Sequence, residues 1–145
     1  MAFIKELIHA LLVVQPPHPI FVHFPIALIS AAFFFLLVAF WRKSDLFEKI
    51  AFANICLACV SILVAGAIGI RDNAVLFKGV APNFIAKIVI ASILLVLTGA
   101  IAMLRWKNPD LFHGRYKWLY LLAHFICFAL VGIQGFLGGI IVYGF

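Results

Sequence analysis

Charge is what this sequence has least of. Of its 145 residues only 11% are charged and five are acidic, while 67% are hydrophobic. Soluble domains carry about 25% charged and 45–50% apolar residues, so a water-soluble globule or a disordered tail is excluded. Cysteine is scarce as well: Cys56, Cys59 and Cys127 all fall inside apolar runs, which excludes a disulfide scaffold. Cys56 and Cys59 form a C-x-x-C, but no basic neighbour stabilises a thiolate there, and they read as inert thiols. No Gly-rich phosphate loop, Ser/His/Asp set or internal repeat is visible. With so few polar residues, no separate soluble domain remains to house an active site.

What the chain has in quantity is long apolar runs. Roughly 20 apolar residues cross a bilayer as a helix, and four runs qualify, at 20–40, 50–70, 84–104 and 118–143. Backbone hydrogen bonding in lipid leaves helices or closed barrels as solutions, and no alternating strand pattern is present. The expected fold is all-α: one integral membrane domain over 1–145, a four-helix bundle. A short amphipathic helix over 1–15 precedes it, with Phe3, Ile4, Leu7, Ile8, Leu11 and Leu12 at helical spacing. Lys5, Glu6 and His9 lie on its other face, and Gln15-Pro16-Pro17 ends it, so it reads as lying in the lipid interface.

The net charge of +6 is a matter of topology, with no nucleic-acid partner implied. Arg42, Lys43, Lys49, Arg105, Lys107, Arg115 and Lys117 border the loops after the first and third spans. Lys5, Arg71, Lys78 and Lys87 lie toward the other side. The positive-inside rule then puts both termini on the outer, periplasmic side of a bacterial inner membrane.

Ionisable residues inside a membrane are costly and therefore the first functional candidates. His23 lies about three residues into the first span and His124 about six into the fourth, roughly 4–5 Å and 9 Å from opposite surfaces at 1.5 Å per residue. They are a poor pair for one haem. Near His23 the outer layer gathers His18, Pro25, Gly66 and Gly69, with Gly132, Gly135, Gly139 and Gln134 from the fourth span. Two readings stay open. Glycines let a flat cofactor or quinone approach, with His23 as its haem-iron ligand or hydrogen-bond partner; equally, they let helices pack closely. His113, Tyr116, Trp118 and Tyr120 read as an interfacial belt, and His124 as a ligand for any second, inner-leaflet site. Asp72, beside Arg71, reads as an ion pair or helix end.

The segment His18-Pro19-Ile20-Phe21-Val22-His23-Phe24-Pro25-Ile26-Ala27-Leu28 resembles the H-P-x-x-V-H-F-P-I-A-L opening of a family of uncharacterised bacterial four-helix membrane proteins, a domain of unknown function. Gly69-Ile70-Arg71-Asp72 and Gly138-Gly139-Ile140-Ile141-Val142-Tyr143 are similar to two further motifs of that family. The resemblance implies a redox setting, since such relatives occur beside Rieske or c-type cytochrome domains. It also implies an outer-leaflet haem b, because many relatives add a histidine at the opening of the third helix or before the terminal glycine pair. Here those places hold Asn83-Phe84-Ile85-Ala86-Lys87 and Phe136, which leaves His18 or Lys87 as the second contact.

The expected function is a small membrane subunit or anchor of an electron-transfer complex, with haem b or quinone at His23. The alternative is a cofactor-free structural subunit that packs its phenylalanines and glycines against larger redox or photosynthetic proteins. A transporter is disfavoured, since no span carries paired charges or a broken middle. Neither of the two leading readings makes the chain a stand-alone enzyme.

Overall fold

The computed structural model describes residues 4–5 and 18–143, with side chains to 140. Apart from Ile4 and Lys5, the expected interfacial helix at 1–15 lies outside the described residues. Four helices follow one another: α1 (His18–Arg42), α2 (Asp45–Leu76), α3 (Phe84–Lys107) and α4 (Lys117–Tyr143). Each is long and apolar enough to cross a membrane, and no strand occurs among the described residues. Each packs against its neighbour in sequence and α4 closes back on α1, with the fullest contact between α1 and α2 and the slightest between α3 and α4. The helices are therefore arranged as an antiparallel square. One end, here the terminal end, carries the start of α1, the end of α4 and the α2–α3 connection. The other, the basic end, carries the α1–α2 and α3–α4 connections.

Helix starts and stops follow local chemistry. Pro19 is tolerated because the first turn of a helix has no backbone acceptor for its N–H groups. The first N–H of α1 is satisfied from another helix: His18 N donates to Asp72 Oδ2 at 3.0 Å. At the basic end α1 turns into α2 through Lys43 and Ser44, with Lys43 left-handed at φ 51°. At the terminal end the buried Asn73 organises the α2–α3 connection. Its carbonyl accepts from Gly79 N at 2.9 Å and its side-chain Oδ1 from Ala81 N at 3.0 Å.

The core runs along the axis through Ile29, Ala32, Leu36, Ala39, Ala51, Ile55, Ala58, Leu94, Ile101, Cys127 and Val131. Small residues on α1 and α2 let those two helices approach, and aromatic rings fill the wider gaps toward the basic end. Phe33 stacks on Phe128 at 5.0 Å, Phe35 on Phe47 at 6.2 Å, and Phe40 meets Phe112 edge-on at 5.1 Å. Outside, large apolar side chains are bare: Val80 and Ile85 are each 80% exposed and Val96 70%. Such a surface is stable against lipid and would aggregate in water.

The spans match the apolar runs closely except in α2, which begins five residues before the expected 50 and ends six after the expected 70. Glu48, Asp72 and Asn73, which look like span ends, are buried inside the helix.

Candidate functional site: a polar-lined cavity at the terminal end

Among the described residues, buried charged, histidine and amide side chains gather at two places inside the bundle, one near each end. At the basic end Glu48 of α2 is 1% exposed. Arg105 of α3 grips it with two charge-assisted bonds, Nε to Oε1 at 2.6 Å and Nη2 to Oε2 at 2.8 Å. The Tyr120 hydroxyl of α4 donates to Oε1 at 3.1 Å, and the guanidinium lies over the Phe52 ring. This clamp ties three helices together with all charges paired. His124, one turn further along α4, is buried and stands edge-on to Tyr120 with ring centroids 4.6 Å apart. Its Nδ1 donates to the Tyr120 carbonyl at 2.9 Å, and its Nε2 has no partner.

Sequence reasoning missed this clamp. Arg105 was expected to be a topology charge and Tyr120 a belt aromatic, yet both turn inward. One signal was available: in antiparallel neighbouring spans, an acid in the first turn of one and an arginine in the last turn of the next lie at the same level.

At the terminal end all four helices surround a cavity of about 440 Å³. Its wall is mostly apolar, but His18, Asp72, Asn73, Lys87 and Gln134 contribute polar groups to it. His18 is fixed most firmly. Its Nδ1 donates to the Ala65 carbonyl at 3.1 Å, since a carbonyl can only accept. Its ring lies against the backbone of Gly69, where a Cβ would stand 2.8 Å from Cε1 and 2.9 Å from Nδ1. The second ring nitrogen, Nε2, then carries a lone pair with no partner among the described residues.

Asp72 accepts from the start of α1 and from Arg71 Nη1 at 3.1 Å. The side-chain amine of Lys87, half-buried on α3, makes no hydrogen bond or ion pair among the described residues. Gln134 of α4 is 9% exposed. Its amide donates to the Lys87 carbonyl at 3.2 Å, and its Oε1 is an acceptor without a donor. A buried acceptor left unpaired costs about 1–3 kcal/mol and in a native protein needs a reason.

The expected site residues divide. His18, His23 and Lys87 share the cavity, as do Gly66, Gly69, Gly135 and Gly139. His124 does not; it belongs with the clamp at the basic end. His23 is exposed on the flank of α1, its Nδ1 bonded to the Pro19 carbonyl one turn back. The glycines act in different ways. Gly69 accepts the His18 ring and Gly135 meets Ile26 Cδ1 at 3.5 Å, whereas a Cβ at Gly66, Gly132 or Gly138 would meet nothing within 4 Å. Asn73 and Gln134 drew least attention in the sequence, Asn73 because it follows Arg71 and Asp72 and resembles a span end.

Four lipid-compatible helices around a polar-lined cavity define a multi-pass membrane protein with an internal cavity. Over residues 14–145 the chain belongs to the family described as predicted membrane protein (DUF2231), whose function is unknown. No curated protein and no solved structure matches it.

Proposed function

We propose that the terminal-end cavity binds the head group of a quinone–hydroquinone couple and that the chain is a small quinone-binding subunit of a membrane electron-transfer assembly. The observation that carries this is the unpaired polar set on a mostly apolar wall: acceptors at Gln134 Oε1 and His18 Nε2, and a donor at the Lys87 amine. A hydroquinone hydroxyl donates to such an acceptor while its oxygen accepts from an ammonium, and its flat ring suits the glycine-lined space. His18, its other nitrogen held by a carbonyl, is oriented to take a proton from a bound hydroxyl. Electrons leaving such a head group need a second redox centre, so the reading makes the chain one subunit among several. By the positive-inside count, the cavity faces the outer side of a bacterial inner membrane.

A haem b between two axial imidazoles suits these residues less well. His18 and His23 both project from α1, and the His18 ring is held against the α2 backbone at Ala65 and Gly69. At the rim His23 offers its Nε2, and across the cavity stands Lys87. The two cofactors are told apart by one preparation. Protein purified in mild detergent is scanned reduced-minus-oxidised and its extracted lipids are analysed for quinone, and binding of an added short-chain quinone is measured by calorimetry. Binding that Gln134→Leu weakens roughly ten- to a hundredfold, the worth of one buried hydrogen bond, is the expected result. A haem spectrum lost in His23→Ala would replace this reading with a cytochrome. Neither haem nor quinone binding by folded protein would leave a structural subunit.

A further inference from the structure

The charges around the cavity do not balance. Among the described acidic residues, Asp45, Glu48 and Asp110 lie at the basic end, which leaves Asp72 as the carboxylate of the terminal end. Both of its oxygens are taken, Oδ1 by Arg71 Nη1 at 3.1 Å and Oδ2 by His18 N at 3.0 Å. Lys87 also lines the cavity, and its amine has no hydrogen bond or ion pair among the described residues. Its helix, α3, stands diagonally across the square from α1 and does not touch it. The Lys87 charge nevertheless acts on the His18 ring of α1, so it acts across the space between them.

An ammonium held among apolar side chains without a counter-charge is costly. The polar groups that share the cavity with it supply no free negative charge. From α1 come His18 and His23, from α2 the Asp72 already paired with Arg71, and from α4 the uncharged Gln134. Gln134 turns its amide to the Lys87 carbonyl and leaves Oε1 as a buried acceptor without a donor. A ligand that satisfies this cavity therefore brings two different oxygens: an ionised one for Lys87 and a hydroxyl for Gln134.

Resting on the quinone reading above, we infer that Lys87 makes the cavity an anion site, as counter-charge to an ionised oxygen on the aromatic head group. His18 takes the proton of one hydroxyl at Nε2, the electron pair of the broken O–H bond stays on the ligand oxygen, and the Lys87 ammonium balances it. The other hydroxyl keeps its proton and donates to Gln134 Oε1. Lys87 is thus the residue that determines specificity, favouring acidic flat head groups over neutral ones of the same shape.

The test compares two probes on purified protein in mild detergent, each corrected for its partition into empty micelles. One is a hydroxynaphthoquinone, ionised at neutral pH; the other carries a methyl group in place of the hydroxyl and is neutral. Neither offers Gln134 a donor at neutral pH, so the difference between them isolates charge. Wild-type protein is expected to bind the ionised probe at least about tenfold more tightly, the lower end of what a hydrogen bond to a charged group contributes. Lys87→Met is expected to weaken the ionised probe at least about tenfold more than the neutral one, and Lys87→Arg to keep the preference. Equal binding of the two probes, a preference for the neutral one, or equal losses in Lys87→Met overturns the anion site and leaves the head-group site standing. No binding of either probe overturns the quinone reading and the anion site with it. Should Lys87→Met not fold, the ionised probe is titrated by its visible colour while bound to wild-type protein. It is expected to stay ionised to at least about one pH unit below its midpoint in empty micelles, and an unchanged or raised midpoint overturns the inference.

Discussion

The clamp at the basic end makes the sharpest energetic prediction. Replacing Arg105 by leucine removes both strong bonds to Glu48 and leaves a carboxylate that is 1% exposed with only the Tyr120 hydroxyl, at 3.1 Å, to satisfy it. Breaking one half of a buried ion pair costs about 3–5 kcal/mol, because the surviving charge has lost its counter-charge and cannot reach water. That is a change of roughly a hundred- to several-thousandfold in the unfolding equilibrium. Replacing both partners, Glu48→Leu with Arg105→Leu, removes the stranded charge and is expected to cost far less, within about 1–2 kcal/mol of wild type. The coupling energy from the double-mutant cycle should therefore be about 2 kcal/mol or more. Detergent-titrated unfolding read by tryptophan fluorescence suits the measurement, since Trp41, Trp106 and Trp118 all lie at this end of the bundle. A single-variant cost below about 1 kcal/mol would mean that the pair behaves as an exposed surface bridge. A double variant as unstable as the single would mean that packing, not charge, carries the effect. Either result refutes the reasoning.

Gly69→Ala should destabilise the protein by about 1–3 kcal/mol through overpacking, because the new methyl would overlap the His18 ring at 2.8 Å. Gly66→Ala, three residues away with open space at its Cβ, should be neutral or stabilising by up to about 1 kcal/mol from helix propensity. Parallel thermal melts of the two variants decide this, and equal losses would contradict the His18 placement. The topology is testable in cells: single cysteines at Lys43 and Lys107, in a background without native cysteine, should resist a membrane-impermeant thiol reagent until the membrane is opened. A cysteine at Lys78 should react at once, and the reverse pattern would invert the orientation.

The spans were legible because lipid solvation is a property of single residues summed along a run, and a sequence displays that sum directly. The interior polar contacts were not legible for the opposite reason. Asp72 meets His18 across 54 residues, Arg105 meets Glu48 across 57, and Tyr120 meets Glu48 across 72. No local pattern encodes those pairings; they appear only once antiparallel packing brings the helices to register. The same blindness shortened α2, since a charge at the edge of an apolar run looks alike whether it faces water or a partner inside the bundle. The cavity was half visible. The cluster of His18, His23, Lys87 and glycines at one level marked the end of the molecule at which the cavity lies, but which histidine faces inward depended on α1 starting at His18. That start puts His18 on the buried face and rotates His23 to the flank.

The two ends of the bundle also explain each other. Closing a cavity of about 440 Å³ would recover dispersion contacts, so an internal space persists only if something resists collapse. Here the basic end is filled with stacked phenylalanines and locked by Glu48, Arg105 and Tyr120, which fixes how far apart α2, α3 and α4 stand. From that base the helices run to an end where glycines leave volume and where Asp72 holds the start of α1 in place. Stiffness at one end and missing side chains at the other together hold the space open. A weakened clamp should therefore be felt at the cavity as well as in stability: Arg105→Leu, which touches nothing in the cavity wall, should also weaken ligand binding, and the Glu48→Leu, Arg105→Leu pair should restore it.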